Sequence, residues 1–323
     1  MTSSMAGVVG APVTPFNEDD SVDYETFARQ IDFLINHGVV ALAHPMHIGE
    51  SPNLTDAERR NLATALVEAS AGRVPTFVHV SSGGTKLSQE LASHSAKVGA
   101  SGIVLLAPYY WRSEEDELVE HFASVSNAHG GKLIAYNNPS ATQVHLTVNV
   151  IRHLIERIPG FTAIKDASFH METFTEFCRL AKESKRDVAV YTGVERLLTS
   201  MPVGGNGCFS GCSEVAPNLI RRLFAACQEN SIEEARSLQF TTSSLLALLK
   251  LSGPLPVQVK YCMELLGRPV GEVRRPLRNL TENEKMYVHE QLIALGILDS
   301  EPTGWTYVNG GRVSSQRRAV GFR

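Results

Sequence analysis

Residues 161–168 read Phe161-Thr162-Ala163-Ile164-Lys165-Asp166-Ala167-Ser168, a short β-branched, apolar run that ends on a lysine. Such a run has the pattern of a strand covered on both faces. A lysine at its end sits in an apolar surround that favours the neutral amine, the form able to attack a carbonyl. A second run of the same kind, Leu133-Ile134-Ala135-Tyr136-Asn137-Asn138-Pro139, ends on a tyrosine at a proline turn. The interval between the two runs, about thirty residues, is the length of one strand-plus-helix unit. If they are neighbouring parallel strands, Tyr136 and Lys165 emerge side by side at one end of the sheet. An amine beside a phenol is a usable proton-transfer pair.

Outward from these two segments, short apolar runs recur along the chain, each followed by a polar segment with helical periodicity, the signature of βα units around a parallel sheet. The predicted strands are Val8–Val13, Val39–Met46, Thr76–Val80, Gly102–Ala107, Leu133–Asn137, Thr162–Lys165, Val188–Tyr191 and Gly207–Phe209. The spacing predicts a helix over Tyr24–Asn36, with Phe27, Ile31, Leu34 and Ile35 on one face. Another is predicted over Asp56–Ala69, with Thr55 as N-cap and Glu58 three residues on. Eight such units in succession argue for an α/β fold of the (β/α)8 barrel type, with the catalytic domain over residues 1–216. From Pro217 the strand pattern stops, and three or four helices are expected to Leu298, a C-terminal helical extension over 217–298. Residues 299–323 are rich in Gly and Ser and lack apolar periodicity, so they read as a flexible tail or one that lies on a neighbouring subunit.

Composition narrows the function. The chain has 323 residues, 43% hydrophobic and 20% charged, enough for a large core. A formal net charge of −4 and a pI near 6.3 give no electrostatic reason to expect nucleic acid or an anionic membrane as partner. No apolar run approaches the roughly twenty residues a membrane span needs, and the amino terminus lacks a basic region leading into a long apolar segment. The five cysteines, Cys178, Cys208, Cys212, Cys227 and Cys262, read as reduced buried thiols of a cytoplasmic protein. Cys208 and Cys212 have no second Cys or His pair at zinc spacing, and no metal is expected.

In a barrel the reactive residues sit where each strand closes. Those positions hold Thr14-Pro15-Phe16, His47-Ile48-Gly49-Glu50, His79 to Ser82, Pro108-Tyr109-Tyr110, Tyr136-Asn137, Lys165-Asp166 and Thr192-Gly193. They supply an amine, several phenols and a glycine turn, with no phosphate-cradling loop and no cofactor fingerprint, so no cofactor is expected.

In this order and at these intervals, together with Leu54, Glu58-Arg59, Pro139, Lys260, Gly267 and Arg275-Pro276-Leu277, the motifs resemble the dihydrodipicolinate synthase / N-acetylneuraminate lyase family. The resemblance runs from about Val8 to Leu298. It implies a metal-independent Schiff-base lyase, an aldolase or dehydratase, that acts on pyruvate or another 2-oxo acid. On that carry-over Lys165 forms the imine and Tyr136 is the general acid/base. Tyr110 reaches across a subunit interface to complete a proton relay, in a homotetramer built as a dimer of dimers. Thr14, His47, Ile48, Gly49, Glu50 and Gly193 are the implied substrate-binding positions.

The chain departs from the family in three places. Relatives usually read Gly-Thr-Thr-Gly-Glu or Gly-Ser-Thr-Gly-Glu where this chain reads Met46-His47-Ile48-Gly49-Glu50. The substrate carboxylate must then rely on backbone N–H groups or on His47, which could also stand in the relay. Dihydrodipicolinate synthases commonly place an arginine two residues after the proline of the tyrosine motif, and this chain has Pro139-Ser140-Ala141-Thr142. The bidentate clamp for aspartate semialdehyde is therefore missing, and another acceptor is expected. The third departure is His79-Val80-Ser81, which with His44 and His47 gathers three histidines near the second and third strand ends. The alternatives to the main reading are a true 4-hydroxy-tetrahydrodipicolinate synthase with an altered carboxylate site and a catalytically weak 2-oxo acid sensor.

Overall fold

The computed structural model of the chain describes residues 5–251, 253–309 and 312–314. Eight strands, β1 (Gly7–Gly10), β2 (Ala41–His44), β3 (Thr76–His79), β4 (Gly102–Leu106), β5 (Lys132–Asn137), β6 (Phe161–Asp166), β7 (Ala189–Thr192) and β8 (Gly207–Ser210), lie parallel in sequence order and close when β8 pairs with β1. The helices between them are α1 (Tyr24–Asn36), α2 (Asp56–Ser70), α3 (Thr85–Lys97), α4 (Glu115–His129), the single turn α5 (Pro139–Thr142), α6 (Val148–Arg157), α7 (Met171–Glu183) and a second single turn, α8 (Leu197–Ser200). This is the expected (β/α)8 barrel.

Beyond β8 come α9 (Pro217–Gln228), α10 (Ile232–Leu248), α11 (Leu255–Leu265), α12 (Glu282–Ala294) and the short α13 (Ile297–Ser300). A small antiparallel pair, β9 (Tyr307–Asn309) and β10 (Arg312–Ser314), follows. The start of the expected tail is docked on the body. The buried Glu301 carboxylate accepts the first free backbone N–H groups of α9, from Asn218 (2.9 Å) and Leu219 (2.8 Å). Residues 310, 311 and 315–323 of that tail lie outside the described residues.

Local chemistry sets the element ends. Thr55 and Glu58 form a reciprocal capping box at the start of α2, a device worth about 1 kcal/mol. The apolar face expected for α1 is the buried one, with Phe27, Ile31 and Leu34 against the barrel and Ile35 half-buried. Four strands are shorter than predicted at their carboxyl ends, β3 and β4 by one residue and β1 and β2 by more. The apolar pattern continues beyond Gly10 and His44, but Pro12 and Pro45 have no N–H to donate and the chain turns into the mouth loops. Among the described residues no helix is long and apolar enough to cross a membrane.

Candidate active site

Lys165, the penultimate residue of β6, pairs in register with Tyr136 on β5, so both side chains enter the barrel at its carboxyl-terminal end. Each is 4% exposed. The Lys165 Nζ stands 3.8 Å from the centroid of the Tyr136 ring and 4.9 Å from that of Phe209. Burial in this aromatic surround lowers the ammonium pKa from 10.5 to about 7, against the opposing pull of Glu195. At neutral pH a large fraction of the amine is therefore unprotonated and nucleophilic. Burial acts in the opposite direction on the Tyr136 phenol, raising its pKa to about 12. The phenol keeps its proton at neutral pH, and its oxygen accepts a hydrogen bond from Asn138 Nδ2 at 3.1 Å.

The strand ends carrying these two residues are tied together on the outer face. Asn137 Nδ2 donates to Asp166 Oδ1 at 2.7 Å, and Asn137 Oδ1 accepts the Leu146 N–H at 3.0 Å. Ser168 Oγ donates to Asp166 Oδ2 at 3.0 Å. Because side chains alternate across a strand, these outward neighbours fix the backbone from which Tyr136 and Lys165 point inward.

Glu195, in the turn after β7, is 1% exposed and acts electrostatically on Lys165. Its Oε1 accepts the Cys212 N–H at 3.0 Å and the Ser210 hydroxyl, and its carbonyl accepts Gln239 Nε2 from α10 at 2.8 Å. The sequence pattern does not single this acid out. It stands two residues beyond Gly193 with nothing in its type or spacing to mark it.

The mouth loops after β1 and β2 are joined through Thr14. Its fully buried hydroxyl donates to the Gly49 carbonyl (2.6 Å) and lies 3.1 Å from His44 Nε2. Gly49 is required there, since a Cβ would come within 2.9 Å of His44 Nε2. Ile48 is buried and faces Gly211 so closely that a Cβ on that glycine would lie 2.5 Å from Ile48 Cδ1. Glu50 is buried and sits in the left-handed region at φ 55°. It pairs with Lys260 of α11 at 2.8 Å and accepts the Arg274 N–H at 3.0 Å and Asn53 Nδ2 at 3.2 Å. Gly193 donates its N–H to the Asp166 carbonyl at 2.7 Å, with no room for a side chain against Ala167.

The three histidines do not converge. His44 is buried against Phe27 with its pKa pressed down to about 3, and is neutral. His79 is neutral too: its Nδ1 donates to the Pro45 carbonyl at 2.8 Å and its Nε2 accepts from Ser81 Oγ at 2.8 Å. Its ring is the one that meets Tyr136, edge to face at 6.3 Å. Arg59 holds this corner by donating to the carbonyls of His79 and Ser81. His47 is exposed on the loop after β2, its pKa lowered by partial desolvation and then by the charges of Lys165 and Lys250. Among the described residues no group of three or more His, Cys, Asp or Glu side chains is placed to hold a metal ion. All five cysteines are free.

Tyr110 stands apart. It is 88% exposed on the loop after β4, with φ 85° and its ring against Trp111 at 5.2 Å. Within one chain it is not part of the Lys165–Tyr136 pair.

Fold and site together define the class: a (β/α)8 barrel with a buried amine and a buried phenol side by side at the strand ends. Within that class the comparisons are specific, because the model of the dihydrodipicolinate synthetase family matches residues 4–295, and the chain belongs to that family. A 4-hydroxy-tetrahydrodipicolinate synthase of Oceanobacillus iheyensis is 32% identical over 278 residues, 86% of this chain and 92% of that protein. Another from Methanococcus vannielii is 30% identical over 295 residues, 91% of this chain and 100% of that protein. Among solved structures, an Escherichia coli K12 prophage protein of the dihydrodipicolinic acid synthase family, in complex with pyruvate, superposes with a TM-score of 0.87. It is 26% identical, over 91% of this chain and 100% of that one. The chain is thus a lyase of the aldolase type found in this family.

Proposed function

We propose that Lys165 forms a Schiff base with the C2 carbonyl of pyruvate or another 2-oxo acid, and that the protonated imine is the electron sink for making or breaking a bond at C3. The observation that carries this reading is the Lys165 amine, buried over the Tyr136 ring with its pKa lowered to about 7. The neutral amine attacks the carbonyl. Tyr136, which holds its proton at neutral pH, donates it to the carbinolamine oxygen as water leaves and then handles the proton at the substrate hydroxyl. The mouth loop of Thr14, His47, Ile48 and Gly49, with Gly193 opposite, receives the 2-oxo acid. Glu50 serves this loop from behind through its ion pair with Lys260.

The exposure of Tyr110 supports a role at the site of a neighbouring copy; a cytoplasmic tetramer of paired dimers is proposed on the family resemblance alone. The relatives named as 4-hydroxy-tetrahydrodipicolinate synthases favour a second reading, condensation of pyruvate with aspartate semialdehyde. Ser140 and Ala141, standing where an arginine would clamp that substrate, count against it.

The test is reduction with borohydride in the presence of pyruvate, read by intact mass and peptide mapping. A single adduct on Lys165, lost in Lys165→Ala, is expected. No adduct at millimolar pyruvate, or one mapped to another lysine, overturns the reading.

A further inference from the structure

His79 closes β3 as a buried ring, and both of its ring nitrogens are engaged. The Pro45 carbonyl can only accept, so Nδ1 carries the proton and donates it at 2.8 Å. Nε2, bare in the neutral ring, accepts from Ser81 Oγ at 2.8 Å. The Ser81 oxygen in turn accepts the Leu106 N–H at 2.7 Å, and Leu106 stands in register with Tyr136 on the adjoining strand. One run of hydrogen bonds thus crosses from the loop after β2, through the end of β3, to β4. Its last member lies beside the residue that carries the phenol. Arg59 anchors the same corner by donating to the His79 and Ser81 carbonyls at 3.0 and 2.9 Å.

With no nitrogen free, this imidazole neither takes a proton from a substrate nor binds one. What it offers is a fixed surface. Its ring lies 6.3 Å from that of Tyr136 at an interplanar angle of 66°, within the edge-to-face arrangement that aromatic rings favour. The same phenol ring has the Lys165 amine 3.8 Å from its centroid, and its oxygen accepts from Asn138 at 3.1 Å. Tyr136 is therefore held at its tip by Asn138 and along its ring by His79. A reacting group displaced by about 1 Å loses on the order of 100-fold in rate. The angle of this ring thus bears directly on proton transfer to an oxygen bound at Lys165.

We propose that His79 is a positioning residue for the reaction at Lys165: braced by Pro45 and Ser81, it fixes the Tyr136 ring at the angle from which the phenol delivers its proton to the carbinolamine oxygen. His79 itself exchanges no proton with the substrate. The role rests on the reading of Lys165 as the imine-forming residue and Tyr136 as its acid.

The test follows solvent deuterium into the methyl group of pyruvate by NMR. The protonated imine on Lys165 acidifies the C3 protons; one leaves to solvent as the enamine forms, and a deuteron returns in its place. The wild type, His79→Ala, Tyr136→Phe and the double variant are compared, with borohydride trapping of pyruvate on Lys165 run alongside. In His79→Ala the maximal exchange rate should fall roughly 10- to 100-fold. The pyruvate concentration at half-maximal rate should change by less than about threefold, and the adduct should still form on Lys165. Because His79 acts through the phenol, the same substitution should lower the rate no further in Tyr136→Phe. Exchange in His79→Ala within about twofold of wild type overturns the positioning role. So does a loss by the same factor in both backgrounds, the mark of a residue that only supports the fold. Either result, with pyruvate trapped by the wild type, leaves the Schiff-base reading standing. Failure of the wild type to trap pyruvate on Lys165 overturns both. Should His79→Ala fail to fold, His79→Asn, which keeps a donor for the Pro45 carbonyl but lacks the ring, is held to the same two comparisons.

Discussion

Replacing Lys260 with methionine isolates the contact that fastens the helical extension to the active-site loop. In the wild type Lys260 Nζ meets Glu50 Oε1 at 2.8 Å, with the two side chains 3% and 0% exposed. The ammonium also donates to the Glu272 carbonyl at 2.8 Å. Methionine preserves the length and most of the volume of the lysine stem, so the packing loss is small. What changes is the charge. Glu50 is left as a buried carboxylate holding only the Arg274 N–H and Asn53 Nδ2, both on Oε2. Breaking one side of a buried ion pair costs about 3–5 kcal/mol, and the two surviving hydrogen bonds put the expected loss near the lower figure, about 3 kcal/mol. That is a large share of the roughly 5–15 kcal/mol by which native proteins are stable. The urea midpoint from circular dichroism should fall accordingly. Adding Glu50→Gln, which removes the orphaned charge, should restore about half of the loss or more. A Lys260→Met protein within about 0.5 kcal/mol of wild type, or a double variant whose loss is the sum of the two single losses, would refute the argument.

Three further outcomes follow from the same geometry. Tyr136→Phe keeps the ring under Lys165 but removes the acid, so turnover should drop by roughly 10²–10⁴-fold while pyruvate is still trapped on Lys165; unchanged turnover would contradict the acid/base role. Glu195→Gln removes the one charge that holds the Lys165 pKa up, so the pH midpoint for imine formation should move below about 7, and an upward move would be inconsistent with the site described. Glu58, hydrogen-bonded to Arg274 and held at about 2 from 4.5, gives stability that is fully present above pH 4.5 and lost as pH falls through 2. The wild-type lead over Glu58→Gln in urea unfolding, about 2–3 kcal/mol near neutrality, should therefore narrow across that window, and a pH-independent lead would refute it.

The barrel was legible because its signals are local and repeated. Each strand announces itself as an apolar run, and Thr55 with Glu58 marks the start of α2 at the residue where the helix begins. The Tyr136–Lys165 register was readable because one strand-plus-helix interval separates two runs of matching length, which left parallel pairing as the natural outcome. The supports of the site were not readable, since they depend on tertiary approach. Nothing in the pattern distinguishes Glu195, folded beneath the mouth, from the many acids on solvent faces. Nothing in the second-strand turn shows that Glu50 is drawn back to Lys260, more than two hundred residues on. The histidines show the same limit. His44, His47 and His79 lie near one another in sequence, but which of them faces Tyr136 is decided by the Pro45 carbonyl and Ser81, which hold His79 in place.

The central claim is that burial makes Lys165 a nucleophile at neutral pH, and its own titration tests this most directly. The rate of borohydride-trapped adduct formation with saturating pyruvate, measured from pH 5 to pH 11 and mapped to Lys165, should rise with a midpoint at about 7. A midpoint near the ordinary lysine value of 10.5 would contradict the account, because the amine would then be solvated and protonated where the enzyme works.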